Sequence, residues 1–579
     1  MDEAPSAARP RARLHRVIRA LLVGLGAATA LSLALPASAA PPAKKPAAGK
    51  KAAKAGAAKG GGKGTGKGDG SGKKAGKSPA VAPKVAPAAK ASGAPEASAA
   101  PAGEVTVALQ IQRTTLDNGL RVVLNPDHTS PTIAVAVAYD VGSRNEEHGK
   151  SGFAHLFEHM MFQGSKNVEK GGHFRLISAH GGQLNGTTSS DRTNYFEMLP
   201  ENELALGLFL EADRMKSLDI SEANFENQRK VVQEEYRMRV SNSAYAPSEI
   251  RLEELVYQGY WPYEHSTIGS MADLDAAKLD QVGDFFAHHY GPNNAVLSIA
   301  GDFDPAQALA LVHRYFDGAA KIPATPFEAV VFPEQTSQRT AVVKDDNART
   351  PGLFYGWAIP ANRTADHYAL EVAAYLLGQG ESSRLHQLLV RDKEAALSTS
   401  AGTGDRRGPD IFTIDVKLAD GKKTADVAAL VEAEVKTLST RGPTDAEIEK
   451  ARRQIQTGLV VSIQSNGTRA RRLADYELFS GDATQFNGEL AKYLAVTKDD
   501  VKRVATTYLG PTRRSIVVTY PTESAAKDPA AAKAAAVTPA GAAAAPVTKA
   551  AHAAPPPKGK KAAAKDAKAK KPASSTKKK

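Results

Sequence analysis

Apolar positions change period several times between residues 105 and 522, and each change marks an element. Residues 105–139 alternate in strand fashion around Leu116-Asp117-Asn118-Gly119-Leu120, where Asn-Gly predicts a two-residue hairpin turn. Residues 135–143, VAVAYDVGS, read as a buried strand running toward residues 151–165, SGFAHLFEHMMFQGS. There the period lengthens to that of a helix. Phe153, Leu156, Phe157, Met160 and Met161 form one apolar stripe, and His155, Glu158 and His159 look away from it, into a cleft or solvent. Residues 180–200, HGGQLNGTTSSDRTNYFEMLP, predict a glycine-rich turn and two strands, with a helix over 201–213. A further helix is expected over 224–240. After WPYEHSTIG (261–269) come an amphipathic helix over 278–289, a strand and turn over 293–304 and a helix over 306–316. Residues 317–335, with several prolines, read as a linker.

The second half repeats this plan. GLFYGWAIP (352–360) matches the strand at 135–143, and HYALEVAAYLLGQGESSRL (367–385) matches the histidine-bearing helix, ending in GQG much as the first ends in FQGS. At the register of the histidines it carries apolar residues such as Leu370 and Ala374. A long helix over 445–464 and a strand over 515–520 close the repeat.

Composition changes the picture mainly at the ends. Of 579 residues only 6% are aromatic, and both termini are rich in Ala, Lys, Pro and Gly. Arg9, Arg11, Arg13, Arg16 and Arg19, the apolar run 20–35 and Ala37-Ser38-Ala39 have the order of a secretory signal, with an organellar transit peptide as the alternative. The net charge of +13 would point to nucleic acid if it were spread evenly. Residues 41–104 hold 13 Lys and 3 acids, residues 523–579 hold the same, and residues 1–40 hold 5 Arg and 2 acids, so residues 105–522 are left at −10. No nucleic-acid partner is expected. The basic tails read as flexible polycations for electrostatic contact with an anionic envelope surface, or as solubilising linkers. With no cysteine, any metal must sit on His, Asp and Glu.

The helix at 151–165 offers such a site. At about 100° per residue, His155 and His159 lie one turn apart with Glu158 beside them. Neutral imidazole suits Zn²⁺, a hydrolytic zinc keeps three protein ligands and a water, and an unligated glutamate nearby can take that water's proton. His155-x-x-Glu158-His159 is the reverse of HExxH; the alternative is an ordinary solvated helix face. A third ligand is needed. Over 224–240, Glu235 falls inside the apolar stripe of Phe225, Val231, Val232 and Met238, and Glu234 falls outside it. An inward carboxylate is costly unless paired or bound to metal, so Glu235 is the candidate, with an ion pair to Arg239 as the alternative.

With these residues in view, the chain resembles the pitrilysin/insulinase family of zinc peptidases over residues 105–522, in particular the processing-peptidase-like bacterial members. HLFEH (155–159) matches the family's HxxEH, VGSRNE (141–146) the segment before it, GGQLNGTTSSDRTNY (181–195) its GGxxNAxTxxxxTxY region, and NQRKVVQEE (227–235) the block with the third ligand. The resemblance implies one Zn²⁺ per chain on His155, His159 and Glu235, with Glu158 as general base. It implies that Asn185 and Gly186 belong to an edge strand on which a substrate peptide adds as an extra strand; for Asn185 a turn-capping amide is the alternative. It implies an α+β fold of two homologous α/β roll domains, each a mixed sheet covered by helices, that form half of a clam-like chamber. Two positions depart from the family. Gln228 stands where members often carry a glutamate, seven residues before the third ligand. Arg391 fits the substrate-binding arginine of the second half, but the tyrosine expected seven residues later is Ser398.

The organisation expected is a signal peptide at 1–39, a disordered linker at 40–104, a zinc-bearing peptidase domain at 105–320, a linker at 321–335, a homologous domain without a metal motif at 336–522 and a disordered Lys/Ala-rich tail at 523–579. The function expected is an exported zinc metalloendopeptidase of the periplasm or cell envelope, or secreted, acting on short or unfolded polypeptides. Ser398 predicts a homo- or hetero-dimer with a homologous chain that supplies Arg and Tyr. The competing reading is a non-catalytic peptide-binding or assembly subunit.

Overall fold

The computed structural model describes residues 106–323 and 330–522. The expected signal peptide, the 40–104 linker, the 523–579 tail and residues 324–329 of the inter-domain linker lie outside the described residues. The fold is mixed α/β, with two sheets covered by helices. The first sheet contains β1 (Gln112–Thr115), β2 (Arg121–Pro126), β3 (Thr132–Tyr139), β4 (Gln183–Thr188), β5 (Thr193–Pro200) and β6 (Ala295–Gly301) in the order β1-β2-β6-β3-β5-β4. The second contains β7 (Arg339–Asp345), β8 (Gly352–Ile359), β9 (Ala396–Thr403), β10 (Asp410–Leu418) and β11 (Arg514–Pro521) in the order β7-β11-β8-β10-β9. β2 runs parallel to β6 and β7 parallel to β11; all other pairs are antiparallel. From β2 onward the two sheets have one plan, so β9 answers to β4 and both are edge strands.

The helices used below are α1 (Phe153–Met160), α2 (Glu222–Tyr236), α3 (Ala246–Val256) and α4 (Asn466–Ser480). β3 shows how each sheet is covered. Val135, Val137 and Tyr139 point into the main core with Leu156, Phe157 and Met160 of α1. Ala134 and Ala136 point the other way, beside Ala300 of β6, and Ala470 of α4 packs on them. Small side chains on one face let a helix approach closely, and large ones on the other fill the core, which is why this strand is buried on both sides. α4 belongs to the second half of the sequence. The converse holds for the second sheet: Leu353, Tyr355 and Trp357 of β8 face its own helices, while Gly356 faces α3, where an added Cβ would lie 2.7 Å from Val256 Cγ2. Each half thus lends a helix to the other half's sheet.

The first hairpin differs from the expected two-residue turn. Leu116 N donates to Leu120 O at 2.9 Å, leaving a three-residue loop, 117–119, with Gly119 at φ 89°. In the second half the helix matching α1 is Ala365–Gly378, and Leu370 and Ala374 lie in its core. Among the described residues no helix is long and apolar enough to cross a membrane.

Candidate metal centre

α1 is preceded by its N-terminal cap, Gly152, which has a φ of 90°. A Cβ added there would lie 2.7 Å from Ile268 O, so both the backbone and the space exclude a side chain. The buried carboxylate of Glu146 accepts from Gly152 N (2.9 Å) and Ala154 N (2.7 Å), satisfying two donors at the helix N-terminus. His265 Nε2 lies 3.0 Å from the same carboxylate, and its ring stacks on Trp261 at 4.0 Å, whose Nε1 donates to Glu146 O at 2.6 Å. Burial raises the pKa of Glu146, with His265 opposing. α1 is therefore fixed by residues of VGSRNE and WPYEHSTIG, segments read from the sequence without a role assigned to Glu146 or His265.

The imidazoles of α1 do not look into solvent. His155 is buried and His159 nearly so, and Glu235 of α2 faces both. Glu235 Oε2 lies 3.2 Å from His159 Nε2 and 3.8 Å from His155 Nε2. The potential ligand atoms of the three residues lie within 4.8 Å of one another. Burial, reinforced by His159 and Arg239, pushes His155 down to about 3, so its imidazole is neutral and keeps a lone pair. Burial works against the charge of Glu235, but His159, His155 and Arg239 outweigh it and lower its pKa. Close as it is to that carboxylate, His159 Nε2 is buried without a well-formed hydrogen bond among the described residues. One buried and one largely buried imidazole and a buried carboxylate, with a ring nitrogen left unsatisfied, form a donor set that fits Zn²⁺.

The expected stripe on α2 needs correcting. Phe225, Gln228, Val232 and Glu235 form the buried face, whereas Val231 is 39% exposed and Met238 58%. The α-helix ends at Tyr236 and continues as a π-helical turn, Arg237–Ser241, which carries Met238 off the stripe. The ion pair weighed as an alternative is also present: Arg239 Nε lies 2.8 Å from Glu235 Oε1, on the oxygen turned away from the histidines.

Glu158 is buried beside this group and accepts from Thr188 Oγ1 at 2.5 Å. Burial raises its pKa, and Thr188 and His159 oppose. Gly186 backs directly onto it: a Cβ there would lie 2.9 Å from Glu158 Cγ and 3.0 Å from Oε1. Gly186 and Thr188 share one face of β4 by the alternation of a strand, a signal in the sequence that would have singled out Thr188. Asn185 accepts from Gly186 N at 2.9 Å through Oδ1, so its amide ties its own backbone. Arg391 is not brought to this group; it is exposed in the π-helical turn His386–Asp392 and donates to Gln387 Oε1 at 3.0 Å. Ser398 lies exposed on β9.

Residues 121–266 match the family described as Insulinase (Peptidase family M16), and residues 276–455 match the Peptidase M16 inactive domain. The zinc protease PqqE of Helicobacter pylori is 32% identical over 413 residues, covering 70% of this chain and 92% of that protein. The crystal structure of a protease from Helicobacter pylori superposes with a TM-score of 0.68 at 30% identity, covering 72% of this chain and 100% of that one. The periplasmic protease PqqL from Escherichia coli shares the fold at 20% identity and a TM-score of 0.61, with 74% of this chain spanning 50% of that one. Sequence and fold agree in both halves, and the chain belongs to the insulinase family of peptidases, M16.

Proposed function

We propose that this chain is a zinc-dependent endopeptidase in which His155, His159 and Glu235 hold the metal and Glu158 is the general base. The convergence of the ligand atoms of two imidazoles, one buried and one largely buried, and a buried carboxylate within 4.8 Å carries this reading. A bound Zn²⁺ would supply Lewis acidity, lowering the pKa of water toward neutrality and polarising a carbonyl. Glu158 stands outside the donor set, on the same helix, and takes a proton from water and returns it to the leaving amine; a carboxyl raised by burial suits that exchange. Thr188 holds the Glu158 carboxylate in one orientation. β4 is an edge strand, so an extended peptide can add to its free backbone groups, and Gly186 lets that strand pass directly over Glu158. Strand addition selects extended segments, which short or unfolded polypeptides supply.

Export to the periplasm or cell envelope rests on the signal-like order of residues 1–39, and the Escherichia coli relative is described as periplasmic. Pairing with a homologous chain is supported by the span of this chain, half of that relative's length, and by Ser398 in place of a tyrosine hydroxyl. A donor aimed at developing charge is worth about 10² to 10³-fold in rate. Ser398 and the exposed Arg391 also favour the second reading, a peptide-binding subunit without activity of its own.

The test is zinc content and cleavage of an unfolded peptide by the full chain, alone and mixed with a homologous chain. Wild type without zinc, or Glu158→Gln cleaving as fast as wild type, ends the peptidase reading. Zinc binding with no cleavage under either condition selects the second.

A further inference from the structure

The segment that follows the third donor ends on the second half of the molecule. α2 stops one residue after Glu235, and the π-helical turn Arg237–Ser241 begins. Arg239 Nε is ion-paired with Glu235 Oε1 at 2.8 Å, off hydrogen-bond geometry, while Oε2 faces the two imidazoles. The terminal torsion of a glutamate has a broad minimum, so a cation paired with one of its oxygens biases the carboxylate toward one orientation. The turn that carries Arg239 is itself fastened. Asn347 Nδ2 donates to Ser241 O at 2.8 Å, and Tyr245 N donates to Asp345 Oδ2 at 2.6 Å. Asp345 Oδ1 accepts from Asn347 N at 2.8 Å, joining the two fastenings, and Tyr245 OH donates to Thr350 O at 2.8 Å. Tyr245 is buried at φ 71°, in the left-handed region that a bulky residue occupies only when its surroundings hold it there. From it springs α3, the helix lent to the second sheet. Asp345, Asn347 and Thr350 all lie in the stretch from the end of β7 to the start of β8.

We infer that Asp345 and Asn347 are positioning residues for the metal site: the second half, which contributes no donor to the cluster, sets the orientation of Glu235 through the strap formed by residues 237–245. This rests on the zinc reading proposed above. A ligating carboxylate depends on the groups that orient it, and losing such a group costs roughly 10- to 100-fold in metal affinity.

The experiment measures zinc dissociation constants by competition with a chromophoric chelator on full-length, metal-stripped Asn347→Ala and Asp345→Asn. His155→Ala serves as the variant without a complete site. Leu459→Ala, a truncation at a buried position of the helix Asp445–Ser462 rather than on the strap, is the control for a general loss of stability. The expected result is a zinc dissociation constant raised roughly 10-fold in both strap variants and unchanged in Leu459→Ala. If Asp345→Asn does not fold, Asn347→Ala, which alters one exposed side chain, carries the measurement alone. Strap variants that are folded and bind zinc as tightly as wild type overturn the inference while leaving the zinc reading intact; wild type that takes up no zinc overturns both.

Discussion

The hydroxyl of Thr188 donates to Glu158 Oε2 across 2.5 Å, joining an edge strand to a helix 30 residues earlier in the chain. A buried carboxylate with one defined partner has one preferred orientation. Thr188→Val keeps the shape and removes the donor, so kcat for an unfolded peptide should fall about 10-fold with zinc content unchanged, while Thr188→Ser keeps most of the rate. Equal rates for Thr188→Val and wild type would remove Thr188 from the mechanism.

Gly186→Ala presses on the same carboxylate from the strand side. An added Cβ 2.9 Å from Glu158 Cγ forces one of the two to move, and the strand is held by its pairing with β5. Expected is a fall in kcat of about 10²-fold, the low end for losing a general base, with zinc affinity retained. Zinc titration and steady-state kinetics on one preparation separate this from a loss of metal.

Stability at low pH should depend on Glu447. Burial opposes its charge, but Arg384 at 2.7 Å and the Thr444 cap outweigh burial and pull it from 4.5 to about 2. A depressed folded-state value means the stabilisation is complete above the unfolded value and disappears as pH falls through the range from about 5 to about 2. Glu447→Gln should therefore melt below wild type at pH 7, with the two melting temperatures converging toward pH 2. A gap that stays constant with pH would assign the effect to packing alone.

The core of the first half contains a buried pair, Glu211 with Arg214, and the Arg214 guanidinium lies 4.4 Å from the centroid of Tyr195. Both side chains are almost fully enclosed. Glu211→Leu leaves the cation without its partner, and chemical denaturation should show a loss of about 3–5 kcal/mol, far above that of an exposed pair. A loss below about 1 kcal/mol would mean that water or Glu197, the other carboxyl whose field Arg214 feels, takes over the charge.

What the sequence made legible followed from local periodicity. The lengthening of the apolar period at residue 153 marked α1, and the position of Glu235 inside a stripe was enough to pick it over Glu234 as the carboxylate that meets the two histidines. The departures have local causes too. Asn118-Gly119 signals a turn, but loop length depends on which residue takes the positive φ, and here it is Gly119 at the end of a three-residue loop. Met238 fits the stripe of an unbroken helix, and the helix widens at Arg237. α4 and α3 pack on sheets of the other half, and nothing in a window of about 15 residues records a partner hundreds of residues away. The alternation of alanine and valine in β3 did record that both faces are covered; it did not say by what.

That exchange of helices has a consequence for the order in which the chain can fold. The outer face of the first sheet, built from residues 112–301, is closed by residues 466–480. Until those residues are available, Ala134, Ala136 and Ala300 remain open to water and to other chains. The first half cannot cover this face by itself during synthesis; that waits for α4, and contacts closed over so long a stretch of chain are of the kind that slow folding and prolong the exposure of apolar surface.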